Sequence, residues 1–251
     1  DPRIGTLIGS EREGLEKRRV RIVTFGFSSH ADHHIVDYSA KPGEQGFALA
    51  DARGVVTRFS LHVPGKMNVM NAVAALTLSA LFGVTTGAMR LTLGSFRGIW
   101  RRCEKVGEVD GVTVLSDYGH HPTAVKATLE AVKHFYPGRR MVLCFQPHHR
   151  KRTRDLFLDF IPCFDLADVL ILVEIYDVPG REMTEGETVS SRDLVKAILH
   201  HDADRSSTRS VEYAEHPAEA MGALRRVRTR GDVVIVMGAG DLYLSLPSFF
   251  A

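Results

Sequence analysis

The densest group of reactive side chains is Ser116-Asp117-Tyr118-Gly119-His120-His121-Pro122-Thr123. A carboxylate, a phenol and two imidazoles fall within five positions, just before a proline suited to the first turn of a helix. Unpaired amides at such a helix start favour anionic ligands. Asp117 can accept hydrogen bonds from a ribose, while Tyr118 and His120 can donate to a phosphate or carboxylate. The plain alternative is a solvated turn with an aspartate cap. A second group, Gln146-Pro147-His148-His149-Arg150-Lys151-Arg152-Thr153-Arg154, puts four cations in five positions. A small polyanion is the natural partner of such a loop, although a charge run is often only a solvated face.

Three further segments are weaker. Arg101-Arg102-Cys103-Glu104 lies where an arginine could reach a ligand held between two parts of the chain, but a surface ion pair explains it equally well. Met237-Gly238-Ala239-Gly240-Asp241 is a lone GxG, and a tight turn accounts for it. Asn68 and Asn71 share one helical face. Asparagine can bond an adenine edge, yet spacing alone favours a helix-start role. Adjacent histidines without HExxH or HxH spacing argue against a zinc centre, so no metal ligand is expected. No GxSxG elbow, Cys-His-Asn signature or GxxxxGK[ST] loop occurs in the sequence.

These segments need elements to hold them. Strands are expected over residues 20–25, 35–39, 46–50 and 55–62, then helices over 67–82 and 86–96. From Gly98 the pattern changes. Apolar strands at 112–115, 141–145, 169–175 and 233–237 alternate with helices: one opening at Pro122, a short one over 154–160, one after a Ser190–Asp193 capping box, and one over 217–227. Strands without a polar face, separated by helices, predict an α/β fold with a mainly parallel sheet covered on both faces. The boundary between the two parts falls near 96–101. Ligands of such sheets bind beyond the strands' carboxyl ends, so the loops after Leu115, Phe145, Ile175 and Met237 matter most. Asp117, His120 and Arg152 are expected to border one anion-receptive pocket, on neighbouring turns.

Composition fits this reading. The 251 residues are 44% apolar and 25% charged, as in a globular protein. A net charge of +2 argues against a nucleic-acid surface, and no apolar run of about 18 residues offers a membrane span. The opening Asp1-Pro2-Arg3-Ile4-Gly5 has no secretory pattern and no Met, which fits an internal cut in a longer chain. Cys103, Cys144 and Cys163 lack CxxC spacing; buried thiols in a reducing cytoplasm are expected.

Taken together, five motifs resemble the Mur ligase family, in order and over almost the whole chain. They are Gly65-Lys66-Met67-Asn68-Val69-Met70-Asn71-Ala72, Arg101-Arg102-Cys103-Glu104, Asp117 to Thr123, Phe145-Gln146-Pro147-His148 with Arg152 to Phe157, and Gly238-Ala239-Gly240-Asp241. The resemblance implies that residues 1–96 are the C-terminal portion of the family's central ATP-binding domain. Residues 97–251 would be its Rossmann-like C-terminal domain. It implies an ATP-dependent, cytoplasmic ligase of peptidoglycan precursor synthesis, in which a muramoyl carboxylate becomes an acyl phosphate and an amine attacks. The Phe-Gln-Pro-His loop favours members adding L-alanine to UDP-N-acetylmuramate over murein-recycling members adding a tripeptide. A non-catalytic nucleotide- or anion-binding module is the other alternative. Asn68, Asn71, Arg102 and Asp117 resemble the nucleotide contacts; Tyr118, His120, His148, Arg150 and Arg152 resemble residues around the substrates, His120 and Arg152 being the catalytic candidates. ATP and Mg are the implied cofactors, with the phosphate loop and most Mg ligands in parts of the family without counterpart here. The missing N-terminal part of the same enzyme is then an expected partner, and this chain alone is not expected to turn over ATP. Met67 stands where the family usually has His, and His149 where it has Arg, a position Arg150 could serve.

Overall fold

The structure, a computed structural model, describes residues 2–177 and 189–251. Two helices come first, α1 (Pro2–Ser10) and α2 (Arg12–Lys17), neither anticipated from the sequence. The strand expected at 20–25 shrinks to β1 (Phe25–Gly26). Its apolar alternation has no opposing surface: Val20 and Ile22 remain exposed. A meander follows, β2 (His33–Lys41), β3 (Glu44–Ala50) and β4 (Val56–Leu61). The helices α3 (Lys66–Leu81) and α4 (Thr86–Ser95) cover one face. Phe47, Phe59 and Leu61 of the sheet bury against Val69, Val73, Leu76 and Met89.

Residues 96–103 cross to a second sheet. The hairpin of β5 (Glu104–Val109) and β6 (Val112–Asp117) turns on Asp110-Gly111, both with positive φ. Then come α5 (Pro122–Phe135), β7 (Met141–Gln146), α6 (Arg150–Asp155), α7 (Phe157–Cys163), β8 (Val169–Val173) and α8 (Ser191–Asp204). The chain ends with β9 (Ser210–Ala214), α9 (Pro217–Val227), β10 (Val233–Gly238), a 3-10 turn (Leu242–Ser245) and α10 (Leu246–Phe250).

The strand order is β5-β6-β10-β7-β8-β9, with all but β5 parallel. Successive right-handed crossovers from β6 to β9 run in one direction and so place α5, α7 and α8 on one face. The return to β10 reverses direction and puts α9 on the other. Two buried clusters result: Val125, Leu129, Phe160, Phe164, Leu194 and Ile198 on one side, and Ala220, Met221, Leu224, Leu246 and Phe249 on the other. Both faces are covered, as the continuous apolar strands require.

The turns bearing His120 and Arg152 are not neighbours, because β10 lies between β6 and β7. The basic stretch is also not a loop. Arg150 already begins α6, ahead of the helix expected at 154. The capping box is present: the Ser190 and Asp193 side chains bond each other's backbone amides. All three cysteines are buried and unpaired. Among the described residues no helix is long and apolar enough to cross a membrane.

Candidate functional site

Asp117, at the carboxyl end of β6, is only 6% exposed. One carboxylate oxygen accepts from the Cys103 amide at 2.7 Å, the other from the Gly119 amide at 2.6 Å. The Tyr118 amide donates to the Arg101 carbonyl at 2.7 Å. Asp117 therefore pins the 101–103 crossing, where Arg101 and Cys103 both have positive φ, to the loop carrying Tyr118 and His120. Burial pushes its carboxyl up, against the pull of the two amides.

His120 sits with Nδ1 3.1 Å from the Tyr118 carbonyl oxygen. A carbonyl only accepts, so Nδ1 carries the proton and Nε2 bears the lone pair. Burial lowers the pKa of this imidazole, and the Arg152 charge lowers it further. His121 caps α5, its Nδ1 accepting from the Thr123 amide at 3.3 Å.

From β7 the second loop is held by the end of β8. Tyr176 donates its amide to the Pro147 carbonyl and receives the His149 amide, both at 2.9 Å. Its ring stacks on His148 at 5.5 Å and 12°. Thr153, fully buried, donates its hydroxyl to the His149 carbonyl, supporting the positive φ of His149. His148 then lies 5.9 Å from the His120 ring, and His120 5.5 Å from the Tyr118 ring. Arg152 has a buried Nη1 with no hydrogen-bond partner. Arg150 differs: its guanidinium pairs with Asp177 at 2.9 Å and Glu174 at 3.3 Å, and donates to the Val189 carbonyl. Arg150 is therefore already neutralised, whereas Arg152 is not.

The Gly238–Asp241 turn closes the floor. Gln146 donates to Asp241 at 2.9 Å and accepts from the Leu242 amide at 3.1 Å. A β-carbon at Gly238 would lie 2.7 Å from the Gln146 carbonyl, and one at Gly240 2.5 Å from its side-chain oxygen. The GxG is thus a close-packing device against the Phe-Gln-Pro-His loop, rather than only a turn.

Beside this loop cluster, at the crossing between the two sheets, is a cavity of about 470 Å³. Asn68, Asn71 and Arg102 meet there with apolar walls from Leu76, Met89 and Phe96. Asn68 donates its amide to the Pro64 carbonyl at 2.8 Å and does not cap α3, whose N-cap is Gly65 with no side-chain cap bond, so the cap expected from spacing is absent. Asn71 and Arg102 are exposed at the rim. Met67 lines a different cavity, with Gly65 and Lys66. The Arg102 guanidinium carbon lies 5.4 Å from the Tyr118 ring centre. Thus Arg102, Tyr118, His120 and His148 form a continuous series from the cavity to Arg152's neighbourhood. A flat heteroaromatic base fits this cavity: apolar faces and amide edges are what it needs.

Among the described residues one group has metal-ligand spacing, Asp165, His201 and Asp202. Arg205 and Arg209 already pair with its carboxylates. No magnesium ligand is assigned in the loop cluster. Sequence reasoning missed Tyr176, Gln146 and Glu174 as supports. Tyr176 was findable, because it follows a buried strand at its carboxyl end.

Comparison with known proteins adds the following. The profile "Mur ligase, glutamate ligase domain" matches residues 101–240, and "Mur ligase middle domain" matches residues 8–79. A UDP-N-acetylmuramate–L-alanine ligase of Geobacter sulfurreducens is 37% identical over 240 residues, 95% of this chain and 50% of that one. The enzyme of the same name from Caldanaerobacter subterraneus subsp. tengcongensis is 39% identical over 233 residues, 92% of this chain and 48% of that one. The chain therefore spans about half the length of the curated relatives it matches. The crystal structure of UDP-N-acetylmuramate-alanine ligase from Thermotoga maritima superposes with a TM-score of 0.71 at 24% identity, covering 92% of this chain and 47% of that one. A MurF ligase of Thermotoga maritima in complex with ADP gives 0.65 at 18%, covering 95% and 51%. At these identities the solved structures establish the shared fold.

Proposed function

The chain belongs to the Mur ligase family, and on that premise we propose that it forms part of an ATP-dependent ligase adding L-alanine to UDP-N-acetylmuramate through an acyl phosphate. In this reading residues 1–96 are the C-terminal portion of the middle domain and 97–251 the C-terminal domain. The enzyme works in the cytoplasm, in peptidoglycan precursor synthesis, and the rest of the same enzyme is this chain's partner.

The observation that carries the reading is the series Arg102, Tyr118, His120, His148, which leads from the cavity of Asn68 and Asn71 to the loop of Arg152. ATP supplies the phosphoryl group that activates the muramoyl carboxylate. Asn71 and Arg102 hold the adenine end, with Asn68 fixing the start of α3. Each oxygen of Asp117 keeps acceptor capacity beyond its amide, which suits a ribose hydroxyl. Arg152 offers an uncompensated cation to the substrate's anionic oxygens. His120, neutral with its lone pair on Nε2, takes the proton of the attacking amine. The Tyr118 ring meets the His120 ring edge-on at 5.5 Å and the His148 ring lies 5.9 Å from it, and these contacts hold the imidazole. Arg150 is held by Glu174 and Asp177, so it braces the loop; the substrate contact falls to Arg152. The relatives' names support L-alanine as the acceptor.

The test uses the full-length enzyme. L-Alanine-dependent release of ADP is expected, with His120→Ala and Arg152→Ala each lowering kcat by about 100-fold or more, and Lys133→Ala, exposed on α5, leaving it unchanged. A preference for the tripeptide in direct competition would reassign the acceptor. The 251-residue chain alone, which has no GxxxxGK[ST] loop, is expected not to turn over ATP; a measurable ligase rate from it would overturn that part.

A further inference from the structure

The two histidine loops follow β6 and β7, but β10 separates those strands, so the loops need a tie across its end. Arg101 spans that gap. It is 5% exposed. Its Nη2 donates to the Gly238 carbonyl, the last residue of β10. Its guanidinium carbon lies 4.0 Å from the Tyr243 ring centre, just after β10, and 4.8 Å from the Tyr118 ring centre, just after β6. Asp117 supplies the counter-charge. The backbone of the same residue is equally engaged. Its amide donates to Glu104 at 2.8 Å, and its carbonyl accepts the Tyr118 amide at 2.7 Å. With a φ of 52° the chain turns left-handed here, Arg101 lying inside and Arg102 outside. Arg102 nevertheless stands 5.4 Å from the same Tyr118 ring. Arg101 Nε has no hydrogen-bond partner. A buried guanidinium so incompletely bonded is a poor stabiliser, and an apolar side chain of similar volume often serves stability as well.

We propose that Arg101 is a positioning residue: it clamps the Tyr118 peptide to the end of β10 and thereby holds His120 with its proton on Nδ1. The proposal rests on the role given to His120 above. Two hydrogen bonds in series carry the effect. The Arg101 carbonyl takes the Tyr118 amide, and the Tyr118 carbonyl takes Nδ1–H of His120. Movement of Arg101 therefore releases Nδ1, and with it the Nε2 lone pair that receives the proton of the amine. On its other side the clamp reaches the second loop. Gly238 lies beside Gln146 in the sheet, at the root of the segment carrying His148, so both histidine loops are set by one guanidinium.

The tautomer of His120 is read in the 251-residue chain from two-bond proton–nitrogen correlations of its imidazole, at about pH 8, where the ring is neutral. The natural chain is expected to show Nδ1–H. Arg101→Met keeps an apolar stem but has neither charge nor donor. It is expected to move His120 toward Nε2–H, the form a free neutral imidazole prefers, while amide exchange of β6 and β10 shows the sheet intact. If that variant does not fold, Tyr243→Leu removes the nearest ring from a half-buried position outside the loop, and the same shift is expected to a smaller extent. In the full-length enzyme Arg101→Met is expected to lower kcat about 10- to 100-fold, and to add nothing to the loss already caused by His120→Ala. A natural chain with Nε2–H, a folded Arg101→Met or Tyr243→Leu protein that keeps Nδ1–H, or losses that add in the double variant would overturn the proposal. A shifted tautomer with an unchanged ligase rate upholds the clamp and instead removes the proton-accepting role from His120.

Discussion

Replacing Gly240 by alanine tests the packing that holds the two reactive loops together. The added methyl would lie 2.5 Å from the Gln146 side-chain oxygen and 2.7 Å from both Cβ and Cγ of Tyr176. Neither neighbour moves freely. Gln146 bonds Asp241 and the Leu242 amide, and Tyr176 is tied by two backbone bonds and stacked on His148. Overpacking at such a site costs about 1–3 kcal/mol. Displacing Gln146 removes two hydrogen bonds at about 0.5–1.5 kcal/mol each. The expected loss is about 2–6 kcal/mol. Gly222→Ala is the control. That glycine sits inside α9 with nothing within 4 Å of a new β-carbon, so it should gain about 0.4–1 kcal/mol. Because the chain holds two separate sheets, a single unfolding transition is not assumed. Amide exchange of β7 and β10 reports the relevant sheet. Protection there should fall in Gly240→Ala and rise in Gly222→Ala, and the His148 ring resonances should move only in the former. A Gly240→Ala change smaller than about 0.5 kcal/mol, within the range of neutral surface substitutions, would refute the close-packing account.

Asp117→Asn leaves one oxygen for two amides and sets an amide donor against an N–H. A loss of about 2–4 kcal/mol is expected in urea unfolding, and a loss below about 1 kcal/mol would show that Asp117 does not tie the crossing to the loop. The lowered pKa of His120 gives a pH signature. The folded protein binds fewer protons here than the unfolded chain, so this contribution is full above about pH 6.5 and is lost as pH falls through that value toward the folded pKa. Stability should therefore drop more between about pH 7.5 and about pH 5.5 in the natural chain than in His120→Gln; parallel pH curves would contradict it. Ser190→Ala removes the α8 cap and should cost about 1 kcal/mol, read from exchange of the first-turn amides of α8.

The second half of the fold was the more legible from sequence. Its strands carry their burial in their composition: Val233 to Met237 or Met141 to Phe145 have no polar residue to misread. The first strand failed for the opposite reason. Val20 to Phe25 alternates correctly, but periodicity cannot tell whether a partner surface exists. The strands β5 and β9 were missed because they are edge strands, partly solvated and polar, with Glu104, Lys105 and Glu108 in one and Glu212 in the other. The site was legible as loops rather than as contacts. His120 and His148 could be placed at strand ends, yet their meeting depends on the strand order, which no local pattern encodes. The ion pairs of Arg150 and the stack of Tyr176 on His148 are tertiary outcomes of that order.

The strand that comes last in the sequence occupies the middle of the second sheet. During synthesis, β6 and β7 emerge early but cannot pair with each other, because their shared neighbour is β10. Two apolar edges wait open while α7, β8, α8, β9 and α9 are made, and they are sealed only when Val233 to Gly238 arrives. Completion of this half is thus a late, non-local event that slows folding and prolongs exposure to aggregation. A nascent chain interrupted before residue 233 would lose the central strand of the second sheet, and with it the floor on which the two histidine loops rest.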